Sequence, residues 1–143
     1  MIKEIKNERK NILVVEDNVP SKNLINAFFK NESNYTLHFA NSVSVAKEVL
    51  EFGSIDGILL DIALSGRQSL DGLDLAKFVR NHDTYKNIPI IATTAYALMG
   101  DKEKFIEGGC TDYLAKPLGR QDLMNMVKNI YFKLFVSIIN LRT

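Results

Sequence analysis

The sequence predicts an α/β fold, a doubly wound parallel sheet with helices on both faces, and three observations predict it. Short, continuous, β-branched apolar runs recur five times, helical apolar patterns separate them, and the connections between them are short. Each right-handed crossover returns a helix to a sheet face, so five such units build one layered domain. A length of 143 residues, 46% of them hydrophobic, suits one domain with a real core.

Ile12–Leu13–Val14–Val15 reads as a strand covered on both faces. Asn18–Val19–Pro20–Ser21 starts a helix whose apolar face is Leu24, Ile25, Phe28 and Phe29. Tyr35 to Phe39 is a weaker, partly alternating strand. Asn41–Ser42 then caps a helix with Val43, Ala46, Val49 and Leu50 inward and Gly53 at its end. Gly57 to Leu60 forms the third strand, ended by Asp61, and the third helix turns Leu73, Ala76 and Val79 inward before Asn81. Pro89 to Ala92 is the fourth strand, with its proline where a missing donor is tolerated. The fourth helix, about Gly100 to Glu107, has a thin apolar stripe and ends at Gly108–Gly109. Asp112 to Ala115 is the fifth strand, and from Gly119 a last helix runs through Leu123, Val127, Ile130 and Leu134, which face the sheet. Met124, Tyr131, Phe135 and Ile138 form a second apolar stripe, off that face.

Composition narrows the function classes. With 18 basic and 17 acidic residues the net charge is +1, so the counterion-release argument for nucleic acid is missing, and no nucleic-acid partner is expected. The single cysteine, Cys110, fits a reducing compartment and reads as a small buried hydrophobe. The charged N-terminus lacks a signal-like apolar region, and no run approaches the ~20 residues of a membrane span. The expected location is cytoplasmic. His38 and His82 stand alone, without ligand spacing.

In a parallel sheet the ligand site lies beyond the carboxyl ends of the strands. There stand Glu16 and Asp17 after the first run, Asp61 after the third, Thr93 and Thr94 after the fourth, and Lys116 after the fifth. Singly, each has a plain explanation: a helix cap for Asp17 or Asp61, a strand-forming hydroxyl for Thr94, a solvated strand end for Lys116. Together they place three carboxylates, a hydroxyl and an ammonium on one edge. Clustered carboxylates need a cation, and hard oxygens without His or Cys select Mg²⁺. A carboxylate beside Mg²⁺ and a lysine is equipped for phosphoryl transfer, in which positioning and charge neutralisation do most of the catalysis. The residues leave the nucleophile open among the three carboxylates. Asp61 is favoured because it ends the middle strand, with Glu16 and Asp17 holding the metal and Thr94 and Lys116 clamping the phosphoryl group.

The segments ILVVEDN, GILLD, PIIATTA and DYLAKP, in this order and spacing, resemble the receiver domain of two-component response regulators, over about residues 11 to 130. The resemblance implies a flavodoxin-like sheet of order 2-1-3-4-5 with five helices. It places the phosphoacceptor on Asp61, the acidic pair on Glu16 and Asp17, the switch hydroxyl on Thr94, the lysine on Lys116 before a cis bond to Pro117, and the switch aromatic on Tyr113. It gives the backbone carbonyl of Ala63 as a further Mg²⁺ ligand. The implied division is an N-terminal extension (1–10), a receiver domain (11–130) and an extension of the last helix (131–143). The implied function is phosphorelay signalling: a phosphoryl group passes from a histidine kinase or histidine phosphotransfer protein to Asp61, and the changed surface engages a downstream protein. Catalysis is limited to the protein's own phosphorylation and dephosphorylation. TTAYALMGDKEKFIEGGCTDYLAKPL is closer to receivers found with hybrid sensor kinases.

The sequence also departs from the receiver pattern. The loop after Asp61, IALSGRQSL, is longer than usual and has Ser65 near the expected proline, and Ala63 and Tyr96 occupy positions that tune dephosphorylation in the family. From the short remainder after Pro117, no output domain is expected, and the output is expected to be a protein contact. The two-striped last helix offers a homodimer, partner or membrane-surface contact, or folds back on its own domain. Three other readings compete with phosphorelay signalling. A phosphorylation-independent adapter sits poorly with intact Asp61 and Lys116. A phosphohydrolase of the haloacid dehalogenase type needs an aspartate where Ala63 stands. A flavin carrier needs a phosphate-cradling loop.

Overall fold

A computed structural model describes residues 9–63, 72–95 and 101–142, without the side chains of 101, 132–138, 141 and 142. Five strands, β1 (Lys10–Val15), β2 (Tyr35–Ala40), β3 (Gly57–Asp61), β4 (Ile90–Thr94) and β5 (Asp112–Ala115), form one parallel sheet of order β2-β1-β3-β4-β5. Between and after them run α1 (Val19–Phe28), α2 (Val43–Phe52), α3 (Gly72–Arg80), α4 (Asp101–Glu107) and α5 (Arg120–Arg142). This is the doubly wound α/β sheet that the residue pattern predicted, in the flavodoxin-like order that the resemblance implied.

Side-chain alternation explains the continuous apolar runs. Leu13 and Val15 enter one core with Leu60, Leu75 and Phe105, beneath α2, α3 and α4. Ile12 and Val14 enter the other, with Ile25, Phe29, Leu123 and Val127, beneath α1 and α5. A strand covered on both faces has no side to leave polar, so every position is apolar. Helix starts obey the expected chemistry: the Asn18 side chain accepts from Ser21 N–H at 2.8 Å, and Ser42 Oγ accepts from Val45 N–H at 3.1 Å. Gly109, just after α4, has φ +109°, a conformation that glycine adopts without a Cβ clash.

The helix faces differ in detail from the expected ones. Leu24 is 40% exposed, so the buried face of α1 is carried by Ile25, with Phe29 buried just past the helix end. In α3 the fully buried residues include Leu75 beside Ala76 and Val79, while Leu73 is only half-buried. The largest revision is in α5: Met124 is buried, and Tyr131 packs on the same core and donates its hydroxyl to Asp56 O at 2.9 Å. They belong to the sheet-facing side, so the buried arc of α5 is wider than a single stripe. The side chains of Phe135 and Ile138, the other members of the expected second stripe, and of Leu134 lie outside the described residues, as do loop 64–71 with Ser65 and residue Tyr96.

Candidate functional site

Four strands end at one edge, and backbone hydrogen bonds extend past the ladder to fix the residues beyond it. Glu16 N–H donates to Ala40 O at 2.9 Å, Ile62 N–H to Thr93 O at 3.0 Å and Lys116 N–H to Thr94 O at 2.7 Å. Thr93 and Thr94 are the last residues of β4 rather than the first beyond it, and both are buried. Asp61 pairs in register with Thr93, and Thr94 with Ala115, the residue before Lys116. The Lys116–Pro117 bond is cis.

At this edge Glu16, Asp17 and Asp61 each bring a carboxylate oxygen within 4.8 Å of the others. Glu16 is 1% exposed and Asp61 6%, while Asp17 is half-buried. Lys116 Nζ reaches Glu16 Oε1 at 2.5 Å and Asp61 Oδ2 at 3.4 Å. Ala63 N–H donates to Asp61 Oδ1 at 3.1 Å, and Asn18 N–H to Glu16 Oε2 at 3.4 Å.

The electrostatics arise from burial and crowding. Burial, then the hydrogen bond and negative charge of Glu16, push Asp61 up to about 6, against the opposing pull of Lys116 and Ala63 N–H. Burial alone would raise Glu16 too, but hydrogen bonds with Asp61 and Lys116 and the Lys116 charge outweigh it and hold Glu16 low. Burial would likewise depress Lys116, yet its bond to Glu16 and the charges of both acids hold it above the ordinary lysine range. The Lys116 ammonium thus faces two of the three clustered carboxylates, and Asp61 is the one that resists ionisation. An additional cation relieves that imbalance. The oxygen-only donor set fits a small hard dication such as Mg²⁺.

The remaining predicted residues lie close by. Tyr113 is half-buried in β5 and packs edge-on against Phe105 of α4, ring centroids 5.8 Å apart. Phe105, 1% exposed, does not stand out in the sequence, since one phenylalanine in a thin helical stripe carries no signal of what it touches. Beside Lys116 a groove is lined by Pro20, Ser21, Leu24, Ala95, Pro117 and Leu118. The exposed Leu24, misplaced by periodicity, is part of that groove.

Comparison with known proteins agrees with this geometry. The family model of the response regulator receiver domain matches residues 12–128. The polar-differentiation response regulator DivK of Brucella anthropi is 30% identical over 120 residues, covering 84% of this chain and 94% of that protein. The receiver domain of the sensor histidine kinase PA1611 from Pseudomonas aeruginosa PAO1, solved with a magnesium ion in its active site cleft, is 32% identical with a TM-score of 0.73, covering 86% of this chain and 98% of the other. The receiver domain of the Francisella response regulator 1452 superposes with a TM-score of 0.75 at 25% identity, over 88% of this chain and 99% of the other.

Proposed function

This chain belongs to the response regulator receiver family, and from that premise we propose that it accepts a phosphoryl group on Asp61 from a phosphohistidine and signals by a changed protein surface. A member of this family is a signalling protein rather than a classical enzyme, so the only catalysis assigned is of its own phosphorylation and dephosphorylation. The observation that carries the reading is the convergence of Glu16, Asp17, Asp61 and Lys116 at one sheet edge.

An oxygen of Asp61 attacks phosphorus as the bond to the donor imidazole nitrogen breaks, and the imidazole leaves with the electron pair. Glu16, Asp17, Asp61 and the carbonyl of Ala63 are the residues that would hold Mg²⁺, which when bound neutralises charge on the phosphoryl oxygens. Ala63 N–H, already bonded to Asp61, orients the acceptor. Lys116 supplies a fixed positive charge beside it, and Thr94, at the end of the neighbouring strand, supplies a hydroxyl for a phosphoryl oxygen. The apolar groove next to Lys116 suits the donor, a histidine kinase, hybrid kinase or histidine phosphotransfer protein, because it adjoins the acceptor without covering it. Phosphorylation biases Thr94 and Tyr113 as a two-state element, with Phe105 as the surface on which the Tyr113 ring rests.

The test is intact-mass measurement after incubation with acetyl phosphate and Mg²⁺. A phosphoryl adduct is expected in the wild type and not in Asp61→Asn or without metal. No adduct in any sample, together with no binding of a beryllofluoride mimic, would assign the chain to the adapter class instead.

A further inference from the structure

The two edge strands of the sheet are built differently. β5 has four residues, opens on Asp112 and is followed by Lys116 and Pro117, and such charges and prolines discourage an edge from pairing. β2 has six residues, Tyr35–Ala40, with no acid, lysine, arginine or proline, and among the described residues it pairs with β1 alone. Asn34 O and Ala40 O accept from Lys10 N–H and Glu16 N–H, so the even-numbered residues of β2 turn their backbone groups to β1 and the odd-numbered ones turn theirs outward. Tyr35 N–H is taken by Glu32 O, which leaves the N–H groups of Leu37 and Phe39 and the carbonyls of Tyr35, Leu37 and Phe39 as the outer row.

The side chains along this edge complement one another under a two-fold rotation. Tyr35 and Leu37 pack on the core beneath α1, so Phe39 lies on the same face, and it is 37% exposed. Tyr35 and Leu37 also line an open pocket with Asn23, Asn26 and Ala27 of α1 and Lys30 beyond it. If two copies of β2 pair antiparallel about an axis at Leu37, Leu37 faces itself and Phe39 of each copy stands opposite Tyr35 of the other, over that pocket. Odd-numbered residues then meet odd-numbered ones, as the outward backbone groups require. The same rotation brings Asn23 of one α1 towards Asn26 of the other, amide to amide. On the opposite face of the sheet, Lys47 Nζ of α2 lies over the Phe78 ring of α3, 4.8 Å from its centroid, which fixes the flank of α2 that faces α3. Val45 and Phe52 lie roughly 150° around the helix from Lys47, on the flank towards the outer edge of β2. Phe52 is 85% exposed. Because α2 runs antiparallel to β2, the rotation sets Val45 of one copy against Phe52 of the other. An extended peptide would pair with the strand and leave Phe52 in water, whereas a second copy covers the strand, the pocket and Phe52 together.

We propose that two copies of this chain join antiparallel through β2, making one sheet that continues from copy to copy. The two acceptor edges then face opposite ways. The groove beside Lys116, which Leu24 lines from the other flank of α1, stays open in both copies. The test is sedimentation velocity of the full-length chain from about 1 to 100 µM, with amide hydrogen exchange measured at both ends of that range. A concentration-dependent dimer is expected. In it the Leu37 and Phe39 amides exchange at least about tenfold more slowly than in the monomer, while the Thr36 and His38 amides, turned to β1, are slow throughout. Phe39→Lys and Phe52→Glu should each weaken the dimer by about tenfold or more with an unchanged circular dichroism spectrum, and Phe52→Glu, at a side chain already in water, carries the test if Phe39→Lys does not fold. Ile106→Glu, on the exposed side of α4, should leave the dimer intact. A monomer throughout the range overturns the proposal and leaves the edge to an extended peptide of another protein. A dimer that survives Phe52→Glu, yields to Ile106→Glu, or leaves the Leu37 and Phe39 amides fast also overturns it.

Discussion

At the amino ends of the strands, Arg80 donates to Gly109 O at 2.8 Å, Ile88 O at 2.7 Å and Lys86 O at 3.1 Å, with Thr111 Oγ1 at 3.4 Å. Nearby, Tyr85 bonds Leu50 O and Gly53 O, and Asp56 accepts from Asn11 N–H. At the carboxyl ends, three carboxylates cluster and two of them, Glu16 and Asp61, share the Lys116 ammonium. Both ends hold partly buried charge, but at one end it is matched to neutral carbonyls and at the other like charges are crowded together. The matched end serves stability. The crowded end is held in place by the rest of the fold, and its imbalance is what makes it receptive to a cation and to chemistry.

Substitutions should therefore have opposite signs at the two ends. Arg80→Met is expected to be the largest effect, destabilising by about 3 kcal/mol in urea unfolding because several carbonyls lose a charged donor at once. A change under about 0.5 kcal/mol would mean that water replaces the guanidinium and that the two ends differ less than their geometry implies.

At the acidic edge, Asp61→Asn should stabilise the divalent-free protein at pH 8 by about 1–2 kcal/mol, since it removes a charge that burial and Glu16 disfavour. The pH dependence sharpens this. Asp61 holds its proton up to about 6 in the folded chain, against an ordinary value of 3.8. Between those values the native state binds the extra proton, so stability without metal falls as pH rises through that window, by at most about 3 kcal/mol. Glu16, held low, acts in the opposite sense, contributing stability that is lost as pH falls below its ordinary 4.5. Thermal melting from pH 4 to 7, with and without Mg²⁺, should show the decline only without metal and only with Asp61 present.

Tyr131→Phe, which removes a neutral hydroxyl from Asp56 O while keeping the ring, should cost about 1 kcal/mol. Smallest of all is the behaviour of Cys110, whose thiol burial pushes up to about 11 despite Arg80. Iodoacetamide at pH 8 should label it only on unfolding, and rapid native labelling would show that this part of the core opens.

The fold was legible because the strands are covered on both faces, which turns topology into uninterrupted apolar runs such as Ile12–Val15. The acidic edge was legible because chain order puts Glu16, Asp17, Asp61 and Lys116 immediately after or at the ends of such runs. The staple at the other end was not: Arg80 is one arginine in a helix, and its acceptors lie between 6 and 31 residues further on. Nor could periodicity place Leu24 or Met124, because the centre and width of the arc a helix buries depend on what it packs against rather than on its own sequence alone.

Gly72 sits so close behind the acceptor that a Cβ there would lie 2.8 Å from Asp61 O, and its N–H closes onto Ile62 O at 3.1 Å. The backbone on either side of the intervening segment is thus tied at a neck, one residue beyond Asp61 on one side and at the start of α3 on the other. Doubling the length of a segment closed at its ends costs only about 0.6 kcal/mol. That neck makes the segment a port for variation: residues can be inserted or exchanged there to suit a different partner, while the acceptor keeps its register in the sheet.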